Sequence, residues 1–304
     1  MEFEYVVVDA FTNERYRGNP AAVVFEANAL DGPQMLAIAR EFNLSETTYI
    51  FPSDSPDAAV RFRWFTPGTE VKMCGHATLA GVHALVERGR FATLKTDPQS
   101  LLPIQTASGT LTARMEKLPG DADRYLVWLD LPTPRLEPVH LNADKLAHLL
   151  GTTLEALDLS LPMMKTHDGD VILFVNDLLT LQSLEPDFVG LKRFSDRQQV
   201  RGFSVATLDT LAASIHVQSR FFAPAAGVDE DPVTGSVHGP LATYLVVNDL
   251  VPFLSHTAAV SCVQAEAGGR AGLVRALVTR HPGAGYAVRI AGQCMTTMRG
   301  KLTV

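Results

Sequence analysis

Arg63-Trp64-Phe65-Thr66-Pro67, a short loop and Cys74-Gly75-His76-Ala77-Thr78-Leu79-Ala80 form a stretch that the chain writes twice. The second copy is Arg220-Phe221-Phe222-Ala223-Pro224, a loop three residues longer, and Thr234-Gly235-Ser236-Val237-His238-Gly239-Pro240-Leu241-Ala242. Each copy reads as an alternating strand, a turn closed by glycine and an apolar helix. In the first, Val60, Phe62 and Trp64 fall on one face of the strand, Arg61 and Arg63 on the other.

The helices say more than the strands. Ala77, Leu79, Ala80, Val82, Ala84, Leu85 and Val86 leave almost no polar stripe. Leu241 to Val247 repeat that pattern, with Pro240 assigned to a first helical turn that tolerates it. A helix apolar all round, preceded by alternating strands, requires a sheet curled about it, once per domain. Duplication with unequal polar residues at the turns predicts an α+β protein of two similar domains facing one another across a cleft.

Working outward, Tyr5 to Phe11 and Ala21 to Phe25 are short β-branched runs joined by the turn Arg17-Gly18-Asn19-Pro20. Asp31 caps a helix carrying Met35, Leu36, Ile38, Ala39 and Phe42, and Thr47 to Phe51 returns to strand. Glu116 to Asp123 has the weakest pattern and is taken as the linker, dividing the chain into domains 1–118 and 119–304. Beyond it come a helix opened by Asn142 and strands at Val171 to Val175, Phe203 to Thr207 and Ile215 to Phe222. Ala258 to Ile290 is mostly β, and the last strand can pair with either domain. A length of 304 residues suits two domains.

Composition narrows the function. A formal net charge of -7 and the absence of a basic stripe argue against nucleic acid or an anionic membrane as partner. Lys192-Arg193 with Arg197 and Arg201 is the densest basic stretch, and a solvated helix face explains it. Cys74, Cys262 and Cys294 are unpaired in spacing and suggest a reducing compartment. With an acidic start and no apolar run long enough to span a bilayer, a cytoplasmic protein is expected. No dinucleotide fingerprint, phosphate loop, His-x-x-His or Cys-x-x-Cys pair occurs, so no cofactor and no metal are indicated.

Chemistry concentrates at the two turns. A helix N-terminus offers backbone N–H groups and partial positive charge, which attract a carboxylate or a developing oxyanion. Gly75 and Gly235 open two such termini, although a glycine also simply permits a tight turn. His76 lies in the first turn of its helix, where the dipole favours the neutral ring, and Ser236 is its counterpart in the repeat. The remaining histidines default to surface or capping roles, with His238 intermediate. Asp229-Glu230-Asp231-Pro232 leads into the second turn, more acid than a cap needs, and Asp231 is nearest. Glu46 stands at the entrance to an apolar strand, where a carboxylate must be paired or hold its proton more tightly; a capping glutamate is the plain alternative. Cys74 aligns with Thr234, so a symmetrical two-thiol racemase is disfavoured.

These residues resemble the phenazine-biosynthesis PhzF-like family. The matching segments are Asp9-Ala10-Phe11-Thr12, Gly18-Asn19-Pro20-Ala21-Ala22-Val23-Val24, Leu44-Ser45-Glu46-Thr47, the Arg63 to Pro67 and Cys74 to Thr78 stretches, and Glu230-Asp231-Pro232-Val233-Thr234-Gly235-Ser236. The resemblance implies a diaminopimelate-epimerase-like fold, a homodimer and a cofactor-free isomerase. The best-known member moves a proton between ring carbons of a dihydro-hydroxyanthranilate. Carried over, Glu46 is the general acid/base, with His76, Asp231 and Ser236 completing the catalytic set. Gly18, Asn19, Gly75, Ala77, Thr234 and Gly235 would line the substrate. Val237 departs from the alanine common in the family, a change that bears on pocket shape.

The expectation is therefore an isomerase moving a proton within a small carboxylated metabolite. Two alternatives stand beside it: an amino-acid epimerase or dehydratase using Cys74 opposite Thr234, and a metabolite-binding protein without catalysis.

Overall fold

Two helices without a polar face govern the architecture, and the sheets form around them. The structure is a computed structural model that describes residues 1–120, 124–265, 269–281, 283 and 285–304. By internal contacts the chain divides into two units, 1–131 with 289–304, and 132–288.

The first unit contains β1 (Glu2–Ala10), β2 (Asn19–Val24), α1 (Gly32–Phe42), β3 (Glu46–Phe51), β4 (Val60–Phe65), β5 (Glu70–Val71), α2 (Gly75–Glu87), α3 (Thr93–Thr96), β6 (Leu102–Thr106), β7 (Gly109–Lys117) and β8 (Tyr125–Leu131). Strands β1, β2, β3, β4, β6, β7 and β8 pair in that order, parallel at β2–β3 and β4–β6 and antiparallel elsewhere. The sheet bends around α2, which packs on β1, β2, β3 and β8. Every residue of α2 except His83 and Glu87 is buried, as its unbroken apolar surface demands. On the other face of the sheet, Met35 and Ala39 of α1 pack with Tyr49, Phe51 and Phe65. Asp31 and Gln34 cap α1 reciprocally, each side chain accepting the other's backbone N–H, at 2.9 and 3.0 Å.

The second unit opens with β9 (Leu136–Pro138), α4 (Ala143–Leu149), β10 (Met164–Thr166), β11 (Asp170–Phe174), α5 (Leu178–Gln182), α6 (Phe188–Gln198), β12 (Gly202–Thr207) and β13 (Val217–Ala223). It continues with β14 (Val228–Asp231), α7 (Gly235–Val247), β15 (Thr257–Ala265) and β16 (Ala271–His281). Strand β17 (Gly285–Gly292) carries the chain back into the first unit, where β18 (Cys294–Thr303) pairs antiparallel with β1. Helix α7 packs on β15 and β16, and all of it but Ser236 and Val247 is buried. Leu146, Leu173, Leu191, Phe203 and Phe222 join α4 and α6 to the sheet.

The duplication extends to strand register. The parallel pair β2–β3 sets Ala21 opposite Glu46, and β11–β12 sets Asp170 opposite Gly202. Thr47 faces Phe65 as Phe203 faces Phe222, and Phe65 faces Glu70 as Phe222 faces Glu230. Glu46 therefore corresponds to Gly202, and Val71 to Asp231. One ion pair recurs in both units: Arg63 grips Glu70 with two bonds of 2.7 Å, and Arg220 grips Glu230 at 2.8 and 2.9 Å. The fold class thus agrees with the pattern read from the two stretches.

Two details differ from that pattern. Pro240 lies inside α7 rather than in its first turn, because the helix begins at Gly235. The unit boundary falls at Leu131/Pro132, whereas weak patterning puts it at 118/119, because β8 pairs along β7 and stays in the first unit. Part of the expected linker, residues 121–123, lies outside the described residues. Among the described residues no helix is long and apolar enough to cross a membrane.

Two expectations follow for stability. An alanine Cβ at Gly202 would lie 2.5 Å from Cζ of Phe221 and 3.0 Å from the carbonyl oxygen of Phe222. Overpacking of this kind costs about 1–3 kcal/mol. Gly202→Ala should lower the unfolding free energy in urea by that amount, and an unchanged midpoint would show that the ring has room to move. His238, wholly buried in α7, is held from the ordinary histidine value of 6.5 down to about 4 by desolvation. The unfolded chain then takes up the proton first, so stability present above pH 6.5 is lost as pH falls toward 4. The loss is about 3 kcal/mol for this group. Urea titrations at several pH values should show that slope in the wild type and a shallower one in His238→Gln.

Candidate active site

The first half-site gathers where β2, β3 and α2 begin. Gly18 takes φ +61°, and a Cβ there would fall 2.1 Å from the carbonyl oxygen of Ala10. Only glycine allows the turn that delivers Asn19, wholly buried, to the head of β2. Ser45 donates from Oγ to Asn19 Oδ1 at 3.1 Å, which turns the amide so that Nδ2 faces His76 Nδ1 at 3.4 Å. An Nδ1 that accepts leaves the proton on Nε2. Nε2 of the buried ring lies 3.3 Å from Glu46 Oε2, ion-pair distance without the alignment of a hydrogen bond. Ser45, Asn19 and His76 thus form one hydrogen-bonded chain that sets the ring beside the Glu46 carboxylate, whose side chain is 18% exposed.

Cys74 Sγ lies 3.4 Å from His76 Nδ1. Among the described residues Glu46, Cys74 and His76 bring possible metal-ligand atoms within 4.8 Å of one another. The ring presents Nε2 to the carboxylate and Nδ1 to the thiol, and a single ion binds only one of these nitrogens. The arrangement therefore suits hydrogen bonding better than coordination. Cys262 and Cys294 take no part: burial pushes the Cys262 thiol up to about 12 and Cys294 higher still.

The second half-site forms at the head of α7. Thr234 donates from Oγ1 to Asp231 Oδ2 at 2.5 Å, and its N–H donates to Gln264 Oε1 at 2.9 Å. The Gln264 amide donates in turn to the carbonyl of Asp231 at 2.6 Å, which locks the turn. His238 donates from Nδ1 to the carbonyl of Thr234 at 2.6 Å and faces into the packed interior. Arg201 binds both oxygens of Asp170, with Nε to Oδ1 at 2.7 Å, and Nη2 also reaches Ser236 Oγ at 3.2 Å. Desolvation raises the pKa of the buried Asp170, and its bonds to Arg201 act in the opposite direction.

Glu46, His76 and Asn19 come together in the first unit, and Asp231, Thr234, Gly235 and Ser236 in the second. Gly75 and Gly235 occupy the first positions of α2 and α7, and neither Cys74 nor Thr234 caps its helix with its own side chain. Ala77 is wholly buried, and its carbonyl accepts from Thr48 Oγ1 at 3.0 Å. Of the three neighbouring acids, Glu230 is held by Arg220 and Asp229 is exposed, leaving Asp231 at the turn. Arg201 does not lie on a solvated helix face: α6 ends at Gln198, and Arg201 enters β12 bound to Asp170. Sequence reasoning missed Ser45, Asp170, Arg201 and Gln264 as site residues. The one local signal was an acid, Asp170, heading the apolar run Val171 to Val175.

The model of the family described as phenazine biosynthesis-like protein matches residues 8–300. An uncharacterised isomerase of Clostridium acetobutylicum is 32% identical over 303 residues, 98% of this chain and 97% of its own. A trans-2,3-dihydro-3-hydroxyanthranilate isomerase of Pseudomonas aeruginosa is 33% identical over 250 residues, 82% of each chain. The crystal structure of a PhzF-family phenazine biosynthesis protein from Bacillus anthracis aligns over 100% of both chains, with a TM-score of 0.89 and 27% identity. The family match spans both half-sites, and the relatives it brings are isomerases. On that footing the chain belongs to the phenazine biosynthesis-like, PhzF family and is an isomerase.

Proposed function

We propose that the protein shifts a proton within a small carboxylated metabolite, without a cofactor, and that Glu46 carries the proton. The supporting observation is the 3.3 Å contact between His76 Nε2 and Glu46 Oε2, oriented from behind by Asn19 and Ser45. In the first step the Glu46 carboxylate removes a proton from carbon, and the electron pair left behind spreads into the adjoining unsaturated system. Glu46, now protonated, returns the proton at another carbon, so the double bond moves and the enzyme ends as it began. His76 beside it steadies the carboxyl group between the two steps, and the 18% exposure of the Glu46 side chain leaves the carried proton open to exchange with water.

Asp231, Thr234, Gly235 and Ser236 bind polar groups of a substrate, with the first-turn amides of α7 favouring negative charge. The relative named for a dihydro-hydroxyanthranilate makes carboxylated rings the first class to screen. A homodimer in the cytoplasm accompanies this reading through the family resemblance.

Incubation with carboxylated ring compounds in deuterated water should introduce deuterium at carbon. Glu46→Gln should slow that incorporation by about 100-fold or more while leaving fold and ligand binding intact. Full incorporation by the variant would remove Glu46 from the role.

A further inference from the structure

The matched registers place Arg201, the residue before Gly202, where the first unit has Ser45, and Ser236 where it has His76. In the first unit this position feeds the chain Ser45, Asn19, His76 that ends on an acid. In the second, the acid Asp170 stands at the back, 1% exposed, and a cation stands in front of it. The network is repeated with its polarity reversed.

A buried ion pair gives weak stability, because desolvating two charges offsets their attraction. What the pair does give is aim. Asp170 takes Nε and Nη2 of Arg201 and so fixes the plane of the guanidinium. The Arg201 side chain is still 39% exposed, and among the described residues its Nη1 donates to no group. Ser236 Oγ accepts from Nη2 at 3.2 Å, so its own proton remains to be donated, and among the described residues nothing receives it. Two donors are thus held side by side at the first turn of α7; Asp170, which binds the guanidinium, is buried, and Asp168 and Asp231 also act on Arg201 through their charge.

We propose that the Asp170–Arg201 pair is the positioning device of the second half-site: it fixes Ser236 as a donor and sets a cationic edge beside it. The group recognised there is an anionic acceptor, a carboxylate. This rests on the isomerase reading above in assigning the second half-site to substrate, and it names the substrate group that site takes.

Calorimetric titration with benzoate, anthranilate and their carboxamides tests it. At least one acid should bind the wild type more tightly than its amide. Arg201→Met should weaken that acid by about ten- to a hundredfold, the range for one charge-assisted hydrogen bond, and leave the amide unchanged. Arg201→Lys should recover part of the loss, and added salt should weaken the acid more in the wild type than in Arg201→Met. Should Arg201→Met fail to fold around the unpaired, buried Asp170, Asp170→Asn keeps the guanidinium but releases its aim, and should also lower the preference for acid. The proposal is overturned if no acid outbinds its amide in the wild type, or if a folded Arg201→Met or Asp170→Asn binds the acid unchanged. Binding is read here without turnover, so this outcome and the Glu46→Gln exchange result stand or fall separately.

Discussion

Helices α2 and α7 are apolar on every side, and that single constraint organises each unit. A helix without a polar face cannot rest on a flat sheet with its back to water. In the first unit the strands close around α2, and in the second β15 and β16 cover α7. The first turn of such a helix is then surrounded as well, and any polar residue there must be supplied with partners. His76 meets that demand at Nδ1 through Asn19 and Cys74; Thr234 meets it through Asp231 and Gln264. Chemistry gathers at these turns because the packing leaves no neutral way to end the helix.

Duplication then distributes different chemistry over equal positions. The Arg63–Glu70 and Arg220–Glu230 pairs are the scaffold held in common. Around them the units diverge: Glu46 stands against Gly202, Val71 against Asp231, His76 against Ser236. Gly202 has no room for a side chain beside Phe221, so the second unit has no counterpart of the Glu46 carboxylate. An acid of the second half-site arises two strands over, at the end of β14.

Much of this was legible in the sequence. The repeated strand-turn-helix and the missing polar stripe are local patterns, and they led to the fold class and to the two helix-opening turns with His76 and Ser236; the roles given to Glu46 and Asn19 came with the family resemblance. The Asp170–Arg201–Ser236 cluster was not legible, because its members lie 31 and 35 residues apart and meet only through the parallel pairing of β11 with β12. Within its own neighbourhood Arg201 looks like one more charge after α6. The boundary read from patterning, 118/119, differs from the division by internal contacts, 131/132, for a related reason. Leu118-Pro119-Gly120 breaks a pattern equally well as a hairpin turn or as a linker, and only the pairing of β7 with β8 decides between them.

The pairing of β1 with β18 has a consequence for biosynthesis. Strand β18 leaves the ribosome after the other described strands, yet it borders β1 and lies against α2. Until it emerges, β1 has a neighbour on one side only, and the helix bearing His76 lacks part of its cover. The second unit, translated as one uninterrupted segment, meets no such delay. Translation order therefore delivers the whole of residues 132–288 before the strand that completes the pairing of β1.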